Sequence, residues 1–377
     1  MNKFEAARNY FPYLKTGLTY FNHAAVGPIS SLVKEKLDEY LLQRSETIIE
    51  NYFETIPQVK SAKEKVSRLL NVNEKSFGWT DNVSNAMNIV AQGIDWKSGD
   101  QIILNDIEFP ANVYPFLNLK NIGVEILFAK SENWKVDLPQ IEKLVTPRTK
   151  LISISLVQFL SGYRTDIKAI GDFCKSKNIV FCVDGIQAAG AVHIDINNYN
   201  IDFFAGGTQK WLMGLQGLSY FYISQNLFEK ISPKYIGWTS VKNAWNFLDY
   251  KLDLIENAER FQNGTNSRIG MIAIDSSLNL FEEIGYENIE NKILDNSIYF
   301  IEKLCEEGFN PILNNVERKN IAGIVSFKHD KAEFIFKSLK ERKILCSLRE
   351  GLLRFSPHFY NTKDEINFVV NELIKIK

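Results

Sequence analysis

The chain has 377 residues, 45% of them hydrophobic and 24% charged, enough for one large and one smaller folded unit of a water-soluble protein. Its 44 basic and 45 acidic residues leave a formal net charge of −1, which offers no electrostatic footprint for nucleic acid or an anionic membrane. The chain opens with no charged-then-apolar leader and has no apolar run of membrane-spanning length, and Cys174, Cys182, Cys305 and Cys346 form no CxxC pair. The histidines are equally scattered, so no metal site is expected and a reduced cytoplasmic protein is the reading.

Residues 1–30 read as an arm ending in Asn22-His23-Ala24-Ala25 and a Gly27-Pro28 turn, ahead of a helix through Val33, Leu37 and Leu41. Phe77 to Trp79 reads as a strand, and Thr80-Asp81-Asn82 as the cap of a helix carrying Ala86, Met87, Ile89 and Val90. Free N–H groups at such a helix start make an anion site, although most sequences of this kind are ordinary caps. Buried strands follow at 101–104, 124–128 and 151–157, with a helix from about Leu138 between the last two. Glu108-Phe109-Pro110 follows the first of them. A helix over Ile167 to Lys177 turns Ile167, Ile170, Phe173 and Cys174 to one face, so Cys174 is read as core.

Ile179 to Val183 is apolar throughout, without alternation, as in a parallel strand covered on both faces. It ends on Asp184, then Gly185 and Gln187, and the carboxyl end of a buried strand is where open α/β sheets bind ligands. Ile201 to Phe204 is a second such strand, running into Gly206-Gly207-Thr208-Gln209 and then Lys210-Trp211. An aromatic-rich strand over Leu218 to Ile223, a loop at Tyr235 to Thr239 and a long helix through Ile272, Leu278 and Phe281 follow. From about Asp275 the pattern changes to helices with short strands at 321–327, 344–347 and 352–355. The expected division is an arm (1–30), a large α/β domain (31–274) with a mostly parallel, helix-covered sheet, and a smaller α+β domain (275–377).

A lysine after a strand, a carboxylate at the end of the preceding one and flanking glycines suit one chemistry. Pyridoxal phosphate is held as a Schiff base on a lysine, with an acidic partner that keeps its pyridine nitrogen protonated. Lys210 and Asp184 take those roles, and Gln187 is placed to donate to the ring's phenolic oxygen. Singly, a surface lysine or a turn aspartate is the blander reading of each; the ordered set is not. No GxGxxG or GxxxxGK[ST] run supports a nucleotide-binding alternative.

The blocks Tyr20 to Pro28, Thr80 to Asn88, Glu108 to Pro115, Ile179 to Gly190, Ile201 to Trp211, Arg260 to Thr265 and Leu353 to Thr362 resemble, in order, the class V group of fold-type I pyridoxal-phosphate enzymes. That group holds cysteine desulfurases, selenocysteine lyases, isopenicillin-N-epimerase-like proteins and aminotransferases. The resemblance implies Phe109 stacked on the cofactor, and Asn82, Val83 and Ser84 on its phosphate. It also implies Thr208 and Gln209 beside the lysine, Thr208 being weighed against Gly207 for the family's phosphate-binding serine. Arg354 would take the substrate carboxylate, with Arg349 a weaker candidate, and His23 and Ala24 would lie near the substrate. Thr265 would reach the partner's phosphate in a homodimer with shared sites. Chain-internal readings compete for several: Phe109 and Trp238 as packing, Arg354 as half of a structural salt bridge.

The desulfurases place histidines where this chain has Phe109 and Gln209, and Ser-Asn where it has Gln158-Phe159. Cys346, eight residues before Arg354, stands in an apolar run that reads as a packed strand rather than a mobile loop. The expected activity is therefore transamination of a small amino acid. Desulfuration or selenocysteine cleavage, epimerisation, and a catalytically silent cofactor-binding regulator are the alternatives.

Overall fold

The computed structural model describes residues 2–376. Strands, numbered along the chain, are β1 (Thr19–Tyr20), β2 (Phe77–Thr80), β3 (Gln101–Asn105), β4 (Glu125–Ala129), β5 (Thr149–Ser155), β6 (Val180–Asp184), β7 (Phe203–Gly207), β8 (Ser219–Ile223), β9 (Val325–Lys328), β10 (Ile344–Leu345), β11 (Ser347–Arg349) and β12 (Leu352–Phe355). Seven of them form the main sheet in the order β2-β8-β7-β6-β5-β3-β4. Neighbours from β7 through to β4 pair in parallel; β8 is antiparallel to both β7 and β2. This is the α/β fold, with its mostly parallel central sheet, that the uninterrupted apolar strands foretell. Two apolar layers cover the sheet, one holding Ile103, Ile154, Phe181, Val183 and Phe204, the other Ile102, Leu104, Leu151, Cys182 and Phe203. Alternate residues of one strand thus enter opposite layers, which is why these strands show no hydrophobic alternation.

β9, β12 and β11 make a separate antiparallel sheet covered by the helices Tyr286–Glu306, Ala332–Glu341 and Lys363–Ile376. The helix Arg268–Ile284 runs unbroken through residue 275, so both parts of the chain share it. Two expected strands differ in detail. The one expected over 321–327 is confined to Val325–Lys328, because Ile321 makes an isolated bridge to Tyr163 instead. The one expected over 344–347 breaks at Cys346, because β10 pairs with β1 of the arm while β11 pairs with β12.

The arm is packed in, not loose. Gly27 N–H donates to the Gln209 carbonyl at 2.7 Å, and a Cβ on Gly27 would lie 2.3 Å from the Lys210 carbonyl oxygen. Only glycine permits that approach. Among the described residues no helix is long and apolar enough to cross a membrane.

Candidate active site

Asp184 closes β6, and Lys210 lies three residues beyond the end of the adjacent strand β7. Parallel pairing of β6 with β7 brings the two strand ends to the same edge of the sheet. Asp184 is 2% exposed and accepts one hydrogen bond, from the Ile186 backbone N–H at 2.9 Å. Burial raises its carboxyl pKa, and the nearby Glu108 charge raises it further, against the pull of the Ile186 bond and of Lys210. Burial pushes the Lys210 amine the other way, helped by Arg354 and Arg349 and opposed by Asp184. Among the described residues neither group forms an ion pair within 4.0 Å, so a buried acid and a partly buried base lie near one another unjoined. Lys210 Nζ lies 5.6 Å from the centre of the Phe109 ring, which is 43% exposed and meets Phe159 edge-on at 5.2 Å.

Arg354 on β12 is 3% exposed. Its Nη1 donates to the Phe159 carbonyl at 2.7 Å, Nη2 is 3.5 Å from Ser347 Oγ, and Nε has no partner among the described residues. No carboxylate pairs with it among the described residues, so the structural salt bridge weighed above is absent there. A buried guanidinium with an idle N–H suits a carboxylate brought by a ligand. Arg349, on β11, is exposed.

Lys210 is held by its neighbour. Trp211 is buried, and its indole N–H donates to Gln187 Oε1 at 2.8 Å. The Trp211 carbonyl lies 3.0 Å from His358 Nε2, while Phe359 N–H donates to His358 Nδ1 at 2.9 Å. An imidazole nitrogen that accepts an N–H carries no proton, so Nε2 is the protonated one and donates to Trp211. Gln187 also donates an N–H to the Ala24 carbonyl at 2.9 Å, leaving one N–H of its amide for a cofactor oxygen. Ala24 is buried under the same contact.

At the start of the helix Val83–Gly93, Asn82 Oδ1 accepts from Asn85 N–H at 2.8 Å. The Asn82 N–H, expected to face a phosphate, donates here to Asp81 Oδ1 at 3.0 Å. The first-turn N–H groups of Val83 and Ser84 have no intrahelical acceptor by position and remain for an anion. Two further expected site residues spend their polar groups inside the protein. The Thr208 hydroxyl lies 2.7 Å from the Leu215 carbonyl and 2.9 Å from that of Leu218, so it is spent on the following loop. His23 is fully buried, with Nδ1 2.8 Å from the Ser356 carbonyl and Nε2 2.6 Å from Tyr360 Oη, so neither nitrogen is left for a substrate.

Gln209 Oε1 is buried without a partner among the described residues, and a Cβ on Gly207 would come within 2.7 Å of it. A serine at 207 would therefore displace the Gln209 side chain. Thr265 and Asn266 line a cleft of about 740 Å³ shared with Asp81, Asn85 and Asn88. Glu108 escaped the sequence reading: its buried carboxylate gathers donors from several segments, which a one-dimensional pattern does not signal.

Residues 19–369 match the sequence profile of the family described as aminotransferase class-V. An uncharacterized aminotransferase of Bacillus subtilis, YcbU, is 26% identical over 98% of this chain and 97% of its own length. A probable cysteine desulfurase of Pyrococcus abyssi is 27% identical over 94% of each chain. Among solved structures, the apo cysteine desulfurase of Thermococcus onnurineus superimposes with a TM-score of 0.89 at 23% identity, covering 98% of this chain and 97% of the other. The cystine C-S lyase C-DES does so with 0.88 at 23%, over 97% and 99%. Likeness at that identity speaks for the fold. The residues at the β6 and β7 ends fit the family's cofactor on their own geometry: a buried acid, a partly buried lysine beside an aromatic face, and free helix-start N–H groups.

Proposed function

Because the chain belongs to the aminotransferase class-V family of pyridoxal-phosphate-dependent enzymes, we propose that it transfers the amino group of a small amino acid. The observation that carries this reading is the unjoined Asp184–Lys210 pair beside an Arg354 that has no acidic partner among the described residues. Bound pyridoxal phosphate supplies the electron sink that lets a proton leave the amino acid's Cα. Lys210, shifted by burial toward its neutral amine, is the base that takes that proton and the acid that returns it. Asp184 holds the proton on the pyridine nitrogen, Gln187 gives its remaining N–H to the phenolic oxygen, and Phe109 supplies the stacking face. Val83 and Ser84 receive the phosphate, and Arg354 the substrate carboxylate. Residues 31–274 form the cofactor-binding part, 275–377 the smaller part that carries Arg354, and 1–30 the arm over Lys210. The cysteine pattern supports a cytoplasmic location.

The active form is a homodimer, with Thr265 serving the partner's site. An exposed apolar surface near that loop supports this: Trp245, Phe247, Leu248, Tyr250 and Leu252 are 55–89% exposed, and Trp245 packs on Tyr52 and Phe53. Patches of this kind mark association surfaces.

Desulfuration is the second reading, favoured by the names of several relatives and by the Cys346 thiol, close enough to Arg354 to feel its charge. Against it, Cys346 is 5% exposed between β10 and β11, and burial pushes its thiol up to about 12. Little thiolate exists there to attack sulfur. The test is to incubate loaded protein with a panel of small amino acids and a 2-keto acid acceptor. New keto acid with matching loss of amino acid is expected. Rapid sulfide and alanine release from cysteine, abolished by Cys346→Ser, would overturn the proposal in favour of a desulfurase.

A further inference from the structure

The roles above leave one buried carboxylate unused. Glu108 accepts from Asn105 Nδ2 at 2.5 Å, Asn112 Nδ2 at 3.1 Å, Ser155 N at 2.7 Å, Ser155 Oγ at 2.5 Å and Gln158 Nε2 at 3.2 Å. Among the described residues no lysine or arginine pairs with it. An ionised carboxylate can only accept, and here every contact is a donor.

The donors belong to the segments that carry the site. Phe109, the ring beside Lys210, is the next residue, and Asn112 ends the short helical turn that starts from it. Asn112 is itself fixed, accepting from Ser153 Oγ at 2.6 Å. Ser155 is the β5 register partner of Asp184. Gln158 precedes Phe159, whose carbonyl takes Arg354 Nη1. One carboxylate therefore ties together the stacking face, the strand beside the acid and the carbonyl that orients the arginine. A knot joining β3 to β5 for stability alone needs no charge, since neutral amides and hydroxyls satisfy one another without the cost of burying an anion.

Resting on the pyridoxal-phosphate reading of the Lys210 site, we propose that Glu108 is a positioning residue. It aims Phe109 and the Gln158–Phe159 turn at the reacting centre and keeps a negative charge beside Asp184. The charged group it acts on directly is Asp184 on β6; Asp184 in turn faces Lys210 after β7, which also feels Arg354 on β12 and Arg349 on β11. A neighbouring negative charge favours the proton-bearing form of Asp184, and of any titrating atom of a cofactor held against it.

The test compares wild type, Glu108→Gln, Glu108→Asp and the exchange Glu108→Gln/Gln158→Glu, all loaded with pyridoxal phosphate. The exchange keeps the mutual hydrogen bond and moves the charge one side chain away. Cofactor uptake, thermal midpoint and the pH of the visible-absorbance transition are read. Glu108→Gln is expected to move the transition down by about one pH unit, the scale of a lost neighbouring charge. Glu108→Asp, which keeps the charge but withdraws it from its donors, leaves the transition near the wild-type pH and weakens cofactor binding several-fold. The exchange restores most of the shift. A Glu108→Gln protein with a lower thermal midpoint and an unmoved transition would overturn the proposal, leaving Glu108 as a knot. Should Glu108→Gln not fold, the exchange decides alone, a transition close to the wild-type pH supporting the proposal and one about a unit lower overturning it. Wild-type protein that takes up no pyridoxal phosphate would sink the reading of the whole site, a result distinct from either.

Discussion

Replacing Arg354 with methionine separates a group kept for a ligand from one kept for the fold. Burial, and then the like charge of Arg349, lower the guanidinium from its ordinary value to about 10. At about 1.4 kcal/mol per pH unit, that interval means a charge held at a cost of about 3 kcal/mol in the ligand-free protein. Methionine removes the cost and fills much of the volume, but it leaves the Phe159 carbonyl without its donor. A hydrogen bond from a charged donor contributes about 1.5–3 kcal/mol, so the two effects nearly cancel. Denaturant unfolding of the cofactor-free variant should then lie within about 1–2 kcal/mol of wild type, on either side. Amino-acid binding should suffer far more. Losing a buried charge-paired contact costs about 2–5 kcal/mol, a rise in KM of roughly 30-fold to several thousand-fold. Urea unfolding of the apo proteins and saturation kinetics of the loaded ones measure the two quantities. A variant destabilised by more than about 3 kcal/mol with an unchanged KM would show that Arg354 serves the fold and not the substrate.

Reduction of loaded protein with borohydride and peptide mapping should label Lys210 alone; Lys210→Ala should bind the cofactor without the label and lose turnover. Stability should fall as the pH drops from about 6.5 to about 4, because His23 is fully buried and burial lowers it to about 4, so the unfolded chain binds the proton first. That interval is worth about 3 kcal/mol, with His358 acting in the same direction, and His23→Gln should flatten the acid limb of the thermal midpoint. Thr265→Ala subunits mixed with Lys210→Ala subunits should regain activity above the summed parents. Failure to do so under conditions of proven subunit exchange counts against sharing.

The framework of the site was legible because it is local. A strand buried on both faces must be apolar throughout, so Ile179 to Val183 and Ile201 to Phe204 announced themselves, and whatever polar residue ended each run had to stand at the sheet edge. The position of Asp184 at that edge, and of Lys210 just beyond the neighbouring strand, was therefore readable from order alone. Local pattern also placed the helix cap at Asn82, which does receive Asn85 N–H.

Tertiary structure decided how each polar group spends its hydrogen bonds, since the partners come from distant chain. His23 and Tyr360 are 337 positions apart, and their contact turns a candidate substrate contact into a buried support. The Thr208 hydroxyl turns to carbonyls of the following loop, and the Asn82 backbone N–H to the carboxylate of its neighbour Asp81. Glu108 shows the converse: as one letter in the sequence it is an acid before a phenylalanine. Only the pairing of β5 beside β3 and β6 surrounds it with donors and sets it near Asp184. Burial strengthens each such choice, because a polar atom removed from water must find its partner inside the protein.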